Sequence, residues 1–557
     1  MYSANRFTSL LFPALFFRYN QQVFGQTEQD DSASFRRHLP LLFTMVLYGA
    51  MYFQVLGFGF VYDDVPEIVE NPFLRRPLLE GMSMSQMQHL GAANVKGVFY
   101  AFDSYRPLRF LSYYIDYQLF GLAPGKMHLH NLILGLSNLV ALWRVFLLCP
   151  FSYWVRFAVL FIFAFHPLQV ESVAYISTRS DLQSALFVLV SFECALRYFK
   201  AGSLWAWGIG VLAFGGAMAS KEANLLFPFF LLYGAIVFRS WRRGVVFGGS
   251  LLFVAAGWLL LRSQFLVAVA PFAYFDSLPG VGGVFVQALC LIGLPMNLSV
   301  LRPVLDWGDW WLTLIWFTWG LVGSLLLLRR PRGWFTVVML GYTWFSIALL
   351  PAALAASVTG YFTDHYLYLA ILGIVLPLVL GAEAVVRHRP NLAKSIYLMG
   401  GALGVMYLFL SLVQIPTWRS ELSFAQNAVF SEPGSARAQQ WMGHARYHES
   451  GCTTALPYFE KAVSLDPSDG KSLSDLAICS LARGEHAEGL RLAKKAVSLT
   501  NELDATLLYN LGLAELSNQK RGAACQAFQK ALYLEPRLGE RRSPLQELCA
   551  PRSRGAP

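Results

Sequence analysis

Apolar residues in the first four hundred positions of this chain come in long runs rather than in alternation, and short polar breaks separate the runs. The clearest runs lie at roughly 39–60, 127–148, 152–166, 182–199, 203–219, 223–238, 245–261, 309–328, 334–350, 366–386 and 396–415. A helix needs about 20 mostly apolar residues to cross a bilayer, so this pattern predicts eleven spanning helices. A further run, Val281 to Leu301, is interrupted by Gly293 and Pro295 and could either span or re-enter. From Trp418 onward the chain turns polar, charged and alanine-rich, which places a boundary near 416. The fold class expected is all-α: a polytopic helical membrane protein followed by a helical solenoid.

Composition points the same way: of 557 residues, 55% are hydrophobic, 15% aromatic and only 14% charged, with a mean hydropathy of +0.45. Soluble domains are not built from such a mixture. The net charge of +10 does not suggest nucleic acid, because the basic residues sit in pairs and triplets beside apolar runs rather than in one stripe. They act as topology signals. Arg36/Arg37, Arg144/Arg156, Arg197/Lys200, Arg239/Arg242/Arg243, Arg329/Arg330/Arg332 and Arg387/Arg389/Lys394 share the cytoplasmic side if 281–301 does not cross. Residues 1–38 then form a cytoplasmic N-terminal segment without a convincing cleavable signal, since the apolar patch Leu10 to Phe17 is short and broken by Pro13. Residues 39–415 form the transmembrane domain, and 416–550 lie outside the cytoplasm.

With this topology the external breaks collect Asp63 and Asp64, Arg106 and Arg109, His166 and Glu171, Arg179 and Asp181, Lys221 and Glu222, and Asp364 and His365. Each has an ordinary reading: solvated or capping carboxylates, locally paired or snorkelling cations, a histidine marking a helix end before proline. Their common side argues for one site, because ionisable groups beside lipid are costly and are functional by default. A carboxylate can take the proton of an attacking hydroxyl, and Arg, Lys or His can hold a lipid-linked phosphate and the charge it gains on leaving. No P-loop, HExxH or cysteine-based metal motif is present.

Five stretches carry a resemblance: FVYDDVPEIVENPFL (60–74), YRPLRFLSYYIDYQLFGLAPGKMHLHNLIL (105–134), FHPLQVESVAYISTRSDLQSALF (165–187), SKEANLLFPFFLLY (220–233) and TDHYLYLAILG (363–373). In this order they resemble the transmembrane and tetratricopeptide-repeat O-mannosyltransferases and their bacterial relatives, within the C-type (GT-C) glycosyltransferase superfamily. The resemblance implies a polyprenyl-phosphate-linked sugar as donor and an inverting transfer outside the cytoplasm. It also implies a catalytic acid in the first external loop, here Asp63 or Asp64; adjacency does not decide between them, and we favour Asp64. Arg106, Arg109, His166, Glu171, Arg179, Lys221, Glu222, Asp364 and His365 are then the donor-phosphate and substrate candidates. Relatives tend to carry arginine before the Tyr-Leu-Tyr-Leu stretch where this chain has His365. No cofactor is firmly implied and no metal ligands are assigned; some members of the superfamily use a divalent metal, but no DxD pair in the external loops compels one.

The C-terminal part reads as tetratricopeptide repeats (TPRs), 34-residue helix pairs with small and apolar residues at set positions. Gly443, Ala455, Phe459, Ala462 and Pro467 fit one repeat at 436–469; Gly512, Ala524, Phe528, Ala531 and Pro536 fit another at 505–538. Leu476, Ala477, Ala493 and Ala496 fit a weaker one between them. Such arrays commonly present a concave face to peptides, so an exported acceptor protein is the expected partner, beside membrane lipid; a dimerising or stabilising module is the competing reading. Cys452, Cys479, Cys525 and Cys549 allow three pairings, of which Cys452 with Cys479 and Cys525 with Cys549 suit the stacking of successive repeats. The expected function is transfer of a sugar from a polyprenyl phosphate to a Ser/Thr hydroxyl of an exported protein. The alternatives are a catalytically inactive TPR scaffold and a transferase acting on lipid or polysaccharide. Short external loops and a compact repeat array incline us to a bacterial inner membrane with the repeats periplasmic; the alternative is an endoplasmic-reticulum membrane with the repeats luminal.

Overall fold

A computed structural model describes residues 31–78, 105–263, 280–295, 298–304, 310–329, 333–500, 502, 504–534 and 549. Most of the N-terminal segment, with its Leu10–Phe17 patch, lies outside these residues, as do Arg330, Arg332 and Pro536. The described chain is almost entirely helical, apart from a two-stranded antiparallel ribbon in which Arg302 and Pro303 face Phe362 and Tyr361. It divides into two compact units, one of described residues up to Ser420 and one from Glu421 onward.

All eleven apolar runs form helix in the first unit, but they differ in reach. Among the described residues seven helices are long and apolar enough to cross a membrane: Arg36–Gly57, Pro124–Leu147, Ile176–Ala201, Trp241–Ser263, Trp310–Arg329, Gly333–Thr359 and Pro390–Trp418. The helix Tyr153–Phe165 becomes an eighth only together with Pro167–Ala174, from which it is bent by 58°. Proline 167 is the cause, since the residue before a proline is driven out of helical conformation. His166 accordingly takes φ −69° and ψ 131°, and its side chain accepts from the Leu168 N–H. Leu204–Ser220, of 17 residues, Phe227–Val237 and Leu372–His388, which contains Pro377, are shorter. Val281–Gly293 has 13 residues, about 20 Å at 1.5 Å per residue, well short of a bilayer core of about 30 Å.

Local chemistry sets the helix ends. Ser152 and Ser203 cap helices by accepting from the Val155 and Ala206 N–H groups at 3.2 and 3.3 Å. Pro107 and Pro124 begin theirs, and Gly202, at φ +70°, closes Arg179–Ala201 in the left-handed conformation that glycine tolerates.

The second unit is a regular array of antiparallel pairs: Ala436–Ser450 with Cys452–Leu465, Gly470–Ala482 with His486–Leu499, and Ala505–Ser517 with Arg521–Leu534, preceded by Glu421–Ser431. Asp469 and Asp504 cap successive first helices through paired backbone N–H groups. Phe459 packs on Gly443 and Phe528 on Gly512 so closely that a Cβ at either glycine would lie 2.4 or 2.3 Å from the ring. In the middle repeat the corresponding places hold Ala477 and Ala493, both buried, which is why its sequence signature is weaker.

Both cysteine pairings expected from repeat stacking are present: Cys452 with Cys479 at a Cα separation of 5.2 Å, and Cys525 with Cys549 at 5.6 Å. Non-reducing peptide mapping of protein purified with thiols blocked at lysis should recover both cross-linked peptides. Four free thiols would reject the pairing.

Candidate functional site

The loop after the first described helix leaves it at Phe58 and turns sharply at Tyr62, which has φ +53°. What fixes the turn is Asp64. One of its oxygens accepts from the Val61 N–H at 3.0 Å, and the other accepts from both the backbone N–H and the hydroxyl of Ser177, at 2.9 and 2.6 Å. Asp64 is 1% exposed. Burial nevertheless pushes its carboxyl up to about 8 against those three donors.

Asp63, next to it, is only partly buried. Its N–H donates to the Tyr175 hydroxyl at 3.1 Å. Burial raises its carboxyl above the usual range, opposed by a hydrogen bond from Tyr175 and by the nearby charges of Arg109 and His365. Glu67, one helical turn on, pairs with Arg109 at 2.9 Å. Burial pushes Glu67 to about 7 in spite of Arg109, and its second oxygen is enclosed with no hydrogen-bond partner among the described residues.

The cations of the site are held by carboxylates. Arg106 grips Glu222 with two hydrogen bonds of 3.0 and 3.2 Å, and Arg262 reaches the same carboxylate at 3.5 Å. Lys221 pairs with Asp181 at 2.6 Å and lies 5.5 Å from the centre of the Tyr366 ring. Arg106 is also within electrostatic reach of Asp181 and Glu67, so the two groups of charges form one patch. Its far side is organised by Glu171, which accepts from the Asp364 and His365 N–H groups at 2.8 and 3.2 Å and from His365 Nδ1 at 2.7 Å. Asp364 in turn pairs with Arg302.

Ten of the twelve residues singled out in the sequence therefore meet: Asp63, Asp64, Arg106, Arg109, Glu171, Asp181, Lys221, Glu222, Asp364 and His365. Two do not. His166 is fully buried and spends both ring nitrogens on backbone, at the Leu168 N–H and the Ile292 carbonyl. Arg179, also fully buried, donates to Asp116 at 2.5 Å, to Asn131 at 2.8 Å and to the Met127 carbonyl at 2.9 Å. Both are structural, and neither is open to a ligand. Sequence reasoning missed Glu67, Tyr175, Arg262 and Arg302. Glu67 was legible, at i+4 from Asp63 in a helical turn; Arg262 lies in the last turn of the apolar helix Trp241–Ser263, where no local pattern ties it to Glu222. Among the described residues no three His, Cys, Asp or Glu side chains converge as metal ligands would.

The fold and this patch define a multi-pass helical membrane protein that carries tetratricopeptide-type repeats and a polar site at its helix ends. No family model matches the chain. Among curated proteins it is similar to the protein O-mannosyl-transferases of the TMTC group. It is 30% identical to TMTC2 of Homo sapiens over 187 residues, 32% of this chain and 21% of that protein. To TMTC3 of Mus musculus it is 24% identical over 475 residues, 75% of this chain and 50% of that protein. A Caenorhabditis elegans protein O-mannosyl-transferase is 22% identical over 447 residues, 75% and 61% of the two chains. The chain thus spans less than two thirds of the length of each of these relatives. Among solved structures, a crystal structure of MamA matches with 19% identity and a TM-score of 0.19, over 28% of this chain and 87% of that one.

The division between site and scaffold is testable. Arg179→Ala leaves Asp116 buried without its main partner, and breaking such a pair costs roughly 3 kcal/mol or more; Arg106→Ala, at the partly exposed patch, should cost far less. Thermal unfolding in detergent should show a marked loss for the first variant and little for the second.

Proposed function

We propose that this protein is a membrane glycosyltransferase that moves a sugar from a polyprenyl-phosphate donor to a Ser/Thr hydroxyl of an exported protein. The domain of residues 39–415 carries the chemistry and that of 416–550 recruits the acceptor. The relatives' name makes mannose the sugar to test first. One observation favours the reading most: a partly open carboxylate, Asp63, lies beside cations that are held by other carboxylates rather than by Asp63 itself. In the transfer, Asp63 takes the acceptor's hydroxyl proton as that oxygen bonds to the anomeric carbon. The carbon–oxygen bond to phosphate breaks on the opposite face, inverting the centre, and the phosphate keeps the electron pair. Arg106, Arg262 and Lys221 stabilise that charge. Two guanidinium groups share the one carboxylate of Glu222, so this part of the patch keeps a net positive charge for an incoming phosphate.

Geometry moves our choice of base from Asp64 to Asp63. A general base must reach the proton it removes, and Asp64 has both oxygens occupied and almost no exposed surface. Asp64 instead builds the loop that presents Asp63. Purified Asp63→Asn protein should lose transfer by about 100- to 10,000-fold while unfolding at the wild-type temperature. Wild-type activity in that variant would sink the assignment. Deleting 436–557 should spare transfer to a short peptide and impair it for the full-length acceptor, because tethering raises local acceptor concentration without changing the chemistry. Equal loss on both substrates would instead make the repeats a structural module.

In this reading the chain crosses eleven times, with Val281–Gly293 re-entrant, and the patch and the repeats are both extracytoplasmic. In a background without native cysteines, a cysteine at Ser431 should react with an impermeant thiol reagent from outside and one at Arg329 should not. Labelling of both from one side would overturn the span count.

A further inference from the structure

Tyr175 sits in the turn between the short helices Val170–Ala174 and Ile176–Thr178. Its carbonyl is fixed by Asn131 at 3.0 Å and by the Thr178 hydroxyl at 2.7 Å. Its hydroxyl accepts the Asp63 N–H and hydrogen-bonds the Asp63 carboxylate. The ring stacks on Trp418, with centroids 4.7 Å apart and planes 19° from parallel, and both residues are buried. Trp418 ends the short helix Ile415–Trp418 that follows the last span. The next residue, Arg419, accepts the Gly59 N–H at 3.0 Å through its carbonyl. The exit segment 415–419 therefore meets the loop of residues 59–64 directly at Gly59, and at Asp63 through Tyr175. No step of the transfer requires an aromatic pair there.

We infer that Tyr175 is a positioning residue for Asp63 and that Trp418 locks it, so that the segment continuing into the repeat domain also sets the geometry of the base. The inference rests on Asp63 being that base. A hydroxyl that donates to a carboxylate favours its ionised form. Besides Tyr175, the groups facing Asp63 are Arg109 and His365, which lower its carboxyl, and Asp64, Glu67 and Tyr62, which surround it and Tyr175. Without the hydroxyl, Asp63 titrates higher. Since the base must be ionised to act, activity is then lost on the acidic side of the profile.

The test is the pH dependence of kcat/KM for the full-length protein in detergent, with polyprenyl-phosphate mannose and a Ser/Thr peptide. Tyr175→Phe keeps the ring and removes the hydroxyl. It should move the acidic limb up by about one pH unit, the size of a hydrogen bond to a charged group, with about tenfold loss below the limb and two- to threefold above it. Trp418→Leu should move the limb in the same direction, and Trp418→Phe, which can still stack, should largely restore it. An unmoved limb in Tyr175→Phe overturns the positioning role, and an unmoved limb in folded Trp418→Leu overturns the lock. Should Trp418→Leu fail to fold, Trp418→Met, which fills the space without a ring to stack, takes its place, and an unmoved limb there overturns the lock instead. Asp63→Asn separates the two ideas: wild-type transfer in that variant removes the base assignment itself, whereas an inactive Asp63→Asn beside unshifted Tyr175 and Trp418 variants removes only the bridge.

Discussion

Burying a guanidinium completely is tolerable only if every donor finds a partner, and this demand on Arg179 organises the membrane unit. Its partners come from two other helices: Asp116 from Pro107–Phe120, and Asn131 and the Met127 carbonyl from Pro124–Leu147. Tyr113 lies under the cation at 4.8 Å, and Asp116 uses its second oxygen on His130 at 2.8 Å. Three elements are thereby brought into one register. The consequences reach the patch through the backbone, because Arg106 and Arg109 open one of these helices and Tyr175 and Ser177 lie just before Arg179. A charge that touches no ligand thus fixes the places of four residues around Asp63.

The patch itself is a set of paired charges, in which Arg106 and Arg262 share the carboxylate of Glu222. Each cation near it has a carboxylate, and the acids differ in what they are asked to do. Asp64 and Glu171 accept backbone N–H groups and shape two loops; Glu222 and Asp181 hold Arg106 and Lys221; Asp63 alone of the adjacent pair keeps open surface. Such division of labour among chemically identical side chains is set by environment, the same rule that lets two carboxylates in one site carry different protonation states.

How much of this could be read from the sequence follows from what each signal depends on. Apolar runs show directly where helix must form, because lipid permits little else, and each of the eleven clear runs forms helix, whereas that at 281–301 leaves helix after Gly293. Whether a run crosses depends on length and bends, so the 58° break at Pro167 and the 17-residue helix Leu204–Ser220 blur a count that periodicity alone makes look firm. The glycine–phenylalanine contacts of the repeats were visible as fixed spacing. Sidedness gathered most of the patch, yet it could not tell Arg179 from Arg109, since the two differ only in which neighbours the fold supplies. Nor could it rank Asp63 and Asp64. That ranking depends on Ser177, which no local pattern connects to the first loop.

The Asp64–Ser177 contact joins positions 113 residues apart, and this separation matters during synthesis. At chain growth of about 5–20 residues per second, Ser177 is made roughly 6–20 s after Asp64. Throughout that interval the loop of residues 58–64 has no partner for one oxygen of Asp64 and no Tyr175 to meet Asp63. The segment that completes the arrangement, 415–419, is made later still. A nascent chain therefore passes most of its membrane insertion with this patch unassembled, and the patch is complete only near the end of translation.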